Sequence, residues 1–294
     1  MPVMIYYHRR LLTSPKTLGK TCGNARPAEP SLVPAHLKQQ MRLTRLVLLV
    51  LFSVAAHAAD ICGRNDLYGP YGFQYAGTTT ISGKETPVAG IGRIEFGDDG
   101  ALSGISSVNF NGLYLGNPVT GTYEFGTDCR MTMSLQDDSG AFQHFSGAVT
   151  PGGKRVTFHQ TDPGTVERGI MLRASTSCTN TDFRPSYAFT MSGVYTPLAP
   201  DGATGTISAS GATNATSTGS LTIVRKLRNS EVTAAGTANV ESNCFVNFEF
   251  TLPEGDGQPA IPMKLRGIVV NEGKEIQAIS SDPAETLSAR FTAR

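Results

Sequence analysis

Two stretches of this chain repeat each other with their cysteines in step, and a chain built that way is constrained to fold one unit twice. Tyr71-Gly72-Phe73-Gln74-Tyr75-Ala76-Gly77 and Tyr187-Ala188-Phe189-Thr190-Met191-Ser192-Gly193 share Tyr-x-Phe-x-x-x-Gly at an offset of 116. A cysteine stands nine residues before each tyrosine, Cys62 and Cys178. Further on, Gly121-Thr122 through Asp128-Cys129 matches Gly236-Thr237 through Asn243-Cys244 at an offset of 115. Gly147, Gly153-Lys154 and Asp162-Pro163 match Gly267, Gly273-Lys274 and Asp282-Pro283 at an offset of 120. The order is kept while the offset drifts, as it does when insertions fall in loops, where they cost little. The repeat places one unit at 60–175 and a second at 176–294.

The duplication organises the cysteines. Cys62 and Cys129 are 67 residues apart, and Cys178 and Cys244 are 66 apart. Four cysteines allow three pairings. Only Cys62–Cys129 with Cys178–Cys244 makes the units equivalent and self-contained. Metal ligation is the competing use of such residues, but neither a Cys-x-x-Cys spacing nor a nearby histidine accompanies them. Oxidised pairs imply an exported protein.

An export signal fits that reading. In residues 41–58, Arg42 and Arg45 form a positive start, Leu46 to Ala56 an apolar run, and Ala56-His57-Ala58 a small-x-small cleavage site. The apolar run is too short for a transmembrane helix, which needs about 20 residues. No other long apolar run exists, so no transmembrane segment is expected. Residues 1–40 read either as upstream translation ahead of a start at Met41 or as a long extension of the signal. The first is the expectation, with those residues disordered. The protein is then periplasmic or extracellular.

Charge and composition narrow the class. Residues 1–58 hold eight Lys/Arg against one acid, Glu29, leaving 17 basic and 23 acidic residues, a net charge near −6, over 59–294. That balance argues against nucleic acid, whose phosphates need clustered Lys/Arg. The basic run Arg225-Lys226-Leu227-Arg228 reads as a solvated strand end. With 32 Gly and 17% charged residues, the chain suits short strands and tight turns. Turn chemistry recurs at Gly97-Asp98-Asp99-Gly100, Asp137-Asp138-Ser139-Gly140 and Thr150-Pro151-Gly152-Gly153. About eight strands per unit follow. The predicted fold is all-β: two tandem antiparallel β-barrels, or barrel-like sandwiches. Along 141–149, Phe145, Gly147 and Val149 share one face. A four-residue turn at 150–153 would add Val156 and Phe158 to it. The segment 200–220 is low-complexity and reads as an edge hairpin or a loop.

The same turn would set His144 across from His159. Two imidazoles on neighbouring strands hold a divalent metal if Asp162 or Glu167 joins them. Both lie on the polar side and the second unit has no histidine, so surface histidines are the expectation and no metal site is assigned. Asp162-Pro163 and Asp282-Pro283 read as turn starts rather than general bases. No Gly-x-Ser-x-Gly occurs. No catalytic residue and no cofactor are assigned.

The anchors of the first unit resemble a group of uncharacterised exported bacterial proteins. The matching residues are Tyr71 and Phe73, Phe96 to Gly104, Gly121 to Cys129, and Thr161 to Thr165. The second unit departs from the pattern at Ala238 and at Ala284-Glu285. Such proteins are similar to lipocalin-like and allene-oxide-cyclase-like barrels, a likeness that implies a fold and no particular activity. The leading functional expectation is a module binding a small apolar molecule in its barrels. The alternative is a structural or cell-surface interaction protein with solid-cored barrels. An isomerase or cyclase working inside the barrel stands behind both.

Overall fold

The computed structural model describes residues 62–110, 113–195, 205–216, 218–255, 260–282 and 285–294. The expected signal peptide and residues 1–40 lie outside the described residues. Two closed antiparallel barrels follow each other along the chain. The first runs β1 (Gly69–Ile81), β2 (Lys84–Phe96), β3 (Ala101–Phe110), β4 (Leu113–Phe125), β5 (Arg130–Asp137), β6 (Phe142–Val149), β7 (Arg155–Gln160) and β8 (Thr165–Arg173). The second runs β9 (Ser186–Tyr195), β10 (Gly205–Ala215), β11 (Ser220–Lys226), β12 (Glu231–Val240), β13 (Phe245–Leu252), β14 (Ile261–Val270), β15 (Glu275–Ser280) and β16 (Glu285–Ala293). β8 returns to β1, and β16 to β9, so neither sheet leaves an open edge. The low-complexity segment supplies β10, paired on both sides.

Period-two alternation decides which way each side chain points. In the first barrel Tyr71, Phe73, Tyr75, Ile94, Phe96, Met131, Met133, Phe145, Val156 and Phe158 turn inward and form one cluster. In the second, Tyr187, Phe189, Met191, Ile223, Phe248, Leu265, Ile276 and Phe291 do the same. Exposed outward positions on the first barrel include Glu95, Glu124, Thr132 and His159. An apolar interior with a polar exterior is the inverse of a membrane-spanning barrel. Among the described residues no helix is long and apolar enough to cross a membrane.

The duplication extends to the backbone. Disulfides join Cys62 to Cys129 and Cys178 to Cys244. Cys129 and Cys244 both take left-handed backbone, at φ 62° and 70°. In each barrel a short 3-10 turn, Arg64–Leu67 or Asn180–Asp182, closes the disulfide end. The Tyr71 hydroxyl donates to Gly153 O at 2.6 Å, and the Tyr187 hydroxyl to Gly273 O at 2.7 Å. Gly153 and Gly273 have φ of 63° and 74°. A Cβ there would meet the carbonyl oxygen of Asp66 or Asp182 at 1.6 or 2.3 Å, so only glycine lets the 3-10 turn seat.

The barrels are locked side by side through faces that the sequence leaves unpartnered. Ala89, Ile91 and Leu172 of the first pack with Phe245, Ile268, Val270 and Ile279 of the second. Two amides stitch the seam. Gln74 Nε2 donates to Ala278 O and Ala289 O at 2.5 and 3.0 Å. Asn109, fully buried, donates through Nδ2 to Ser280 O and Glu285 O at 3.0 and 2.8 Å. Replacing Asn109 with alanine strands those carbonyls, and urea denaturation is expected to show a loss of about 1–3 kcal/mol. An unchanged midpoint would mean that the seam contributes nothing to stability.

Candidate functional site at the open end of the first barrel

The disulfide end of the first barrel is plugged, so its accessible interior is the opposite end, where four hairpins turn. The histidines near it are not paired as the turn chemistry suggests. Thr150 N–H bonds to Arg155 O at 2.8 Å, which closes the loop around 151–154 instead of 150–153. The register therefore shifts by two. His159 faces Ser146 on one side and Arg168 on the other, while His144 faces Ser134. The prospective ligand pair does not form, and Glu167 points inward, away from both rings. Among the described residues no group of three His, Cys, Asp or Glu is placed to hold a metal.

His144 instead meets Asp162, with Nδ1 2.7 Å from Oδ1. Asp162 Oδ2 also accepts the His144 backbone N–H at 2.8 Å and Gln160 Nε2 at 2.9 Å. Burial acts to raise the Asp162 carboxyl, but hydrogen bonds from the His144 backbone, Gln160 and the imidazole outweigh it and hold the group below its ordinary range. Asp162 still starts its turn, accepting from Thr165 N–H at 3.3 Å, as Asp282 does from Glu285 N–H at 3.2 Å.

Inside the rim, Glu167 is 3% exposed. Burial, reinforced by the Asp162 charge, pushes its carboxyl up to about 7. The Tyr75 phenol is raised as well, first by burial and then by the Glu167 charge. Two oxygens at this end, Glu167 Oε2 and Gln160 Oε1, are buried without a hydrogen-bond partner, while the Tyr75 hydroxyl meets the Gln143 side chain. Between Ser106, Val108, Phe110, Leu115, Asn117 and Gln143 the mouth encloses a cavity of ≈ 50 Å³. Around it stand exposed apolar side chains from each hairpin: Ile81, Leu113, Leu115, Phe142 and Val166. Larger hollows, ≈ 520 and ≈ 450 Å³, are open grooves on the outer faces of β4–β8.

The second barrel differs at the equivalent end. Arg225 is 2% exposed, turned into the barrel, and donates to Pro253 O and Gly255 O. Arg225 is therefore not solvated, while Lys226 and Arg228 are exposed at the strand end as expected. The first residue of the basic run obeys the inward phase of Leu221 and Ile223, a signal already visible in the alternation. Glu285, also buried and pushed up to about 7 by burial, accepts from Ser280 Oγ at 3.0 Å.

No family model matches the chain, and no curated protein matches it. Among solved structures it is similar to the isotype 1 transferrin-binding protein B of serogroup B Neisseria meningitidis. The identity is 8% over 76% of this chain and 74% of that one, with a TM-score of 0.30. A mutant transferrin-binding protein B from Haemophilus parasuis matches at 7% identity over 77% and 76%, TM-score 0.29. A porin-like protein from Bacteroides uniformis matches at 11% over 77% and 98%, TM-score 0.18. At these identities and TM-scores the function has to be argued from the chain's own residues.

Proposed function

We propose that this chain is an exported interaction protein, periplasmic or cell-surface, whose two solid-cored barrels serve as a rigid scaffold presenting their outer faces and loop ends to a partner. The observation that carries this reading is the filling of both interiors by large side chains. The enclosed space at the open mouth is ≈ 50 Å³. Pockets for small molecules run to about 300–1,000 Å³, and one water occupies about 30 Å³ of liquid. A carrier for a small apolar molecule, and a cyclase holding its substrate inside the barrel, both need room that packed Phe73, Tyr75, Phe145 and Phe158 occupy. The disulfides support an oxidising compartment, and the seam between the barrels supports rigidity.

Native mass spectrometry of the oxidised protein, with titration by an apolar fluorescent probe, tests the reading. The expected result is the bare protein mass and no saturable probe binding. A stoichiometric apolar ligand would overturn it in favour of a carrier.

A further inference from the structure

We propose that the outer face of β5–β8 on the first barrel is the partner-binding face, and that it takes an acidic segment of another polypeptide. The inference rests on the reading of the chain as an interaction protein, and adds to it the surface used and the chemistry of the partner.

The duplication shows what this face of the unit can do. The two barrels share their ladder register, so their outward residues match strand by strand. Arg130 stands opposite Ala148 as Phe245 stands opposite Ile268. Ala148 faces Thr157, and Ser146 faces His159, as Ile268 faces Gln277 and Arg266 faces Ile279. In the second barrel this face is covered by protein. Phe245, Ile268 and Ile279 are fully buried in the seam, packed with Ala89, Ile91 and Leu172 of the first barrel. In the first barrel the matching Arg130, Ala148, Thr157 and His159 are exposed, and Ser146 is half-buried. With Arg168 they line the outer groove of ≈ 520 Å³. One copy of the face already docks on polypeptide, and its twin presents a polar version to solvent.

Charge selects the partner. Residues 59–294 carry 17 basic and 23 acidic residues, yet the outward residues of β5–β8 include Arg130, Arg155, His159 and Arg168 and no Asp or Glu. The acids beside the face are taken. Asp162 holds His144 Nδ1 at 2.7 Å, and Asp128 lies 3.8 Å from Arg130. The latter pair is largely exposed, and such a pair holds little. His159 stands directly opposite Arg168, so one carboxylate can accept from both. Arg130 lies on the far side of the groove, two strands from His159, and offers a second anchor. Between them Ser146 and Thr157 donate or accept, and Ala148 keeps the floor low for a backbone. The aromatic residue lining the groove, Phe158, is turned into the barrel, which leaves no ring there for a sugar to stack on. A polypeptide with spaced carboxylates fits these features, and its encounter is steered by the local positive charge.

The full oxidised chain, labelled with ¹⁵N, is titrated with a blocked hexapeptide alternating glutamate and valine, with its glutamine counterpart, and with a sulfated disaccharide. The glutamate peptide is expected to shift the amides of Arg130, Ser146, Ala148, Thr157 and His159. The glutamine peptide is expected to bind roughly fivefold more weakly, and the disaccharide more weakly than the glutamate peptide. Arg168→Glu and Arg130→Glu, both at exposed positions, should each weaken binding of the glutamate peptide by about fivefold or more. Lys84→Glu makes the same change of charge at the barrel mouth and should leave affinity within about twofold. Equal affinity for the glutamine peptide, tighter binding of the disaccharide, an equal loss with Lys84→Glu, or shifts confined to other surfaces would overturn the proposal. Those outcomes leave the solid-core reading standing. A ligand found inside a barrel by mass spectrometry would remove that reading without moving these amides.

Discussion

Exchanging Cys62 and Cys129 together for serine is expected to cost roughly 4 kcal/mol of stability, the chain-entropy value for a closed loop of this size. The bridge spans 67 residues in the first barrel and 66 in the second, so the Cys178/Cys244 pair is expected to cost the same. In each barrel it ties the start of the unit to the turn before the fifth strand, clamping the 3-10 turn over the plugged end. The paired substitutions avoid a stray thiol. The two bridges lie in separate barrels with no shared contacts, so the costs should add. A chain lacking both would lose about 8 kcal/mol, a large share of the 5–15 kcal/mol a folded protein holds. It should be largely unfolded at 37 °C. Urea denaturation followed by circular dichroism reads this directly. A loss below about 1 kcal/mol per bridge would mean that the bridges decorate barrels already closed by other forces.

The second large effect is a fall in stability as pH rises from 5 to 8. Glu167 and Glu285 are each raised to about 7 in the fold from an ordinary 4.5. Between those values the folded chain keeps protons that the unfolded chain has released. Stability from these groups is therefore complete below pH 4.5 and is lost as pH climbs through 7. Each group is worth up to about 3 kcal/mol over that span. Asp162 and Glu241 are lowered and act in the opposite direction, but only as pH falls below the ordinary carboxyl range. Glu167→Gln and Glu285→Gln should each flatten part of the slope and stabilise the protein at pH 8. Urea midpoints at pH 5 and pH 8, for the wild type and both variants, decide it. A wild type more stable at pH 8 than at pH 5 would sink the expectation.

The repeat makes the architecture legible from the residues alone. A shared Tyr-x-Phe, matching cysteine spacings and Asp-Pro turns imply two units of about eight strands, and the structure has two closed barrels of eight. Strand lengths are less readable. Local propensity starts β4 near residue 120, yet pairing extends it back to Leu113 through Gly116 and Pro118. Pro118 has no N–H to donate, and a proline demotes a strand when only propensity is weighed. The expected β6–β7 register fails because Gly152 and Gly153, both at positive φ, let the turn close around 151–154.

The site is hidden for a different reason. On β8 the inward residues are Thr165, Glu167, Gly169 and Met171, while the outward ones include Val166, Ile170 and Leu172. Judged by hydrophobicity, that strand looks inside out. Leu172 is outward because it packs on the other barrel, and Glu167 is inward at the open mouth, where burial raises its carboxyl. The run Ile268-Val269-Val270 carries the matching hint. Residues apolar on both faces of a strand mark a sheet covered on both sides. Val269 fills the second barrel, while Ile268 and Val270 fill the seam. The order of residues along a strand says that such a face is covered, but not that its cover is the other copy.

The central claim is that both barrels are solid, so the protein works through its surface. Crystals of the protein placed under xenon pressure test it most directly, because xenon enters dry apolar cavities that no polar ligand would report. The account predicts no ordered xenon inside either barrel, among Phe73, Tyr75, Phe145 and Phe158 or among Phe189, Phe248 and Phe291. A well-occupied xenon atom in either interior would contradict it and return the barrels to the class of ligand carriers.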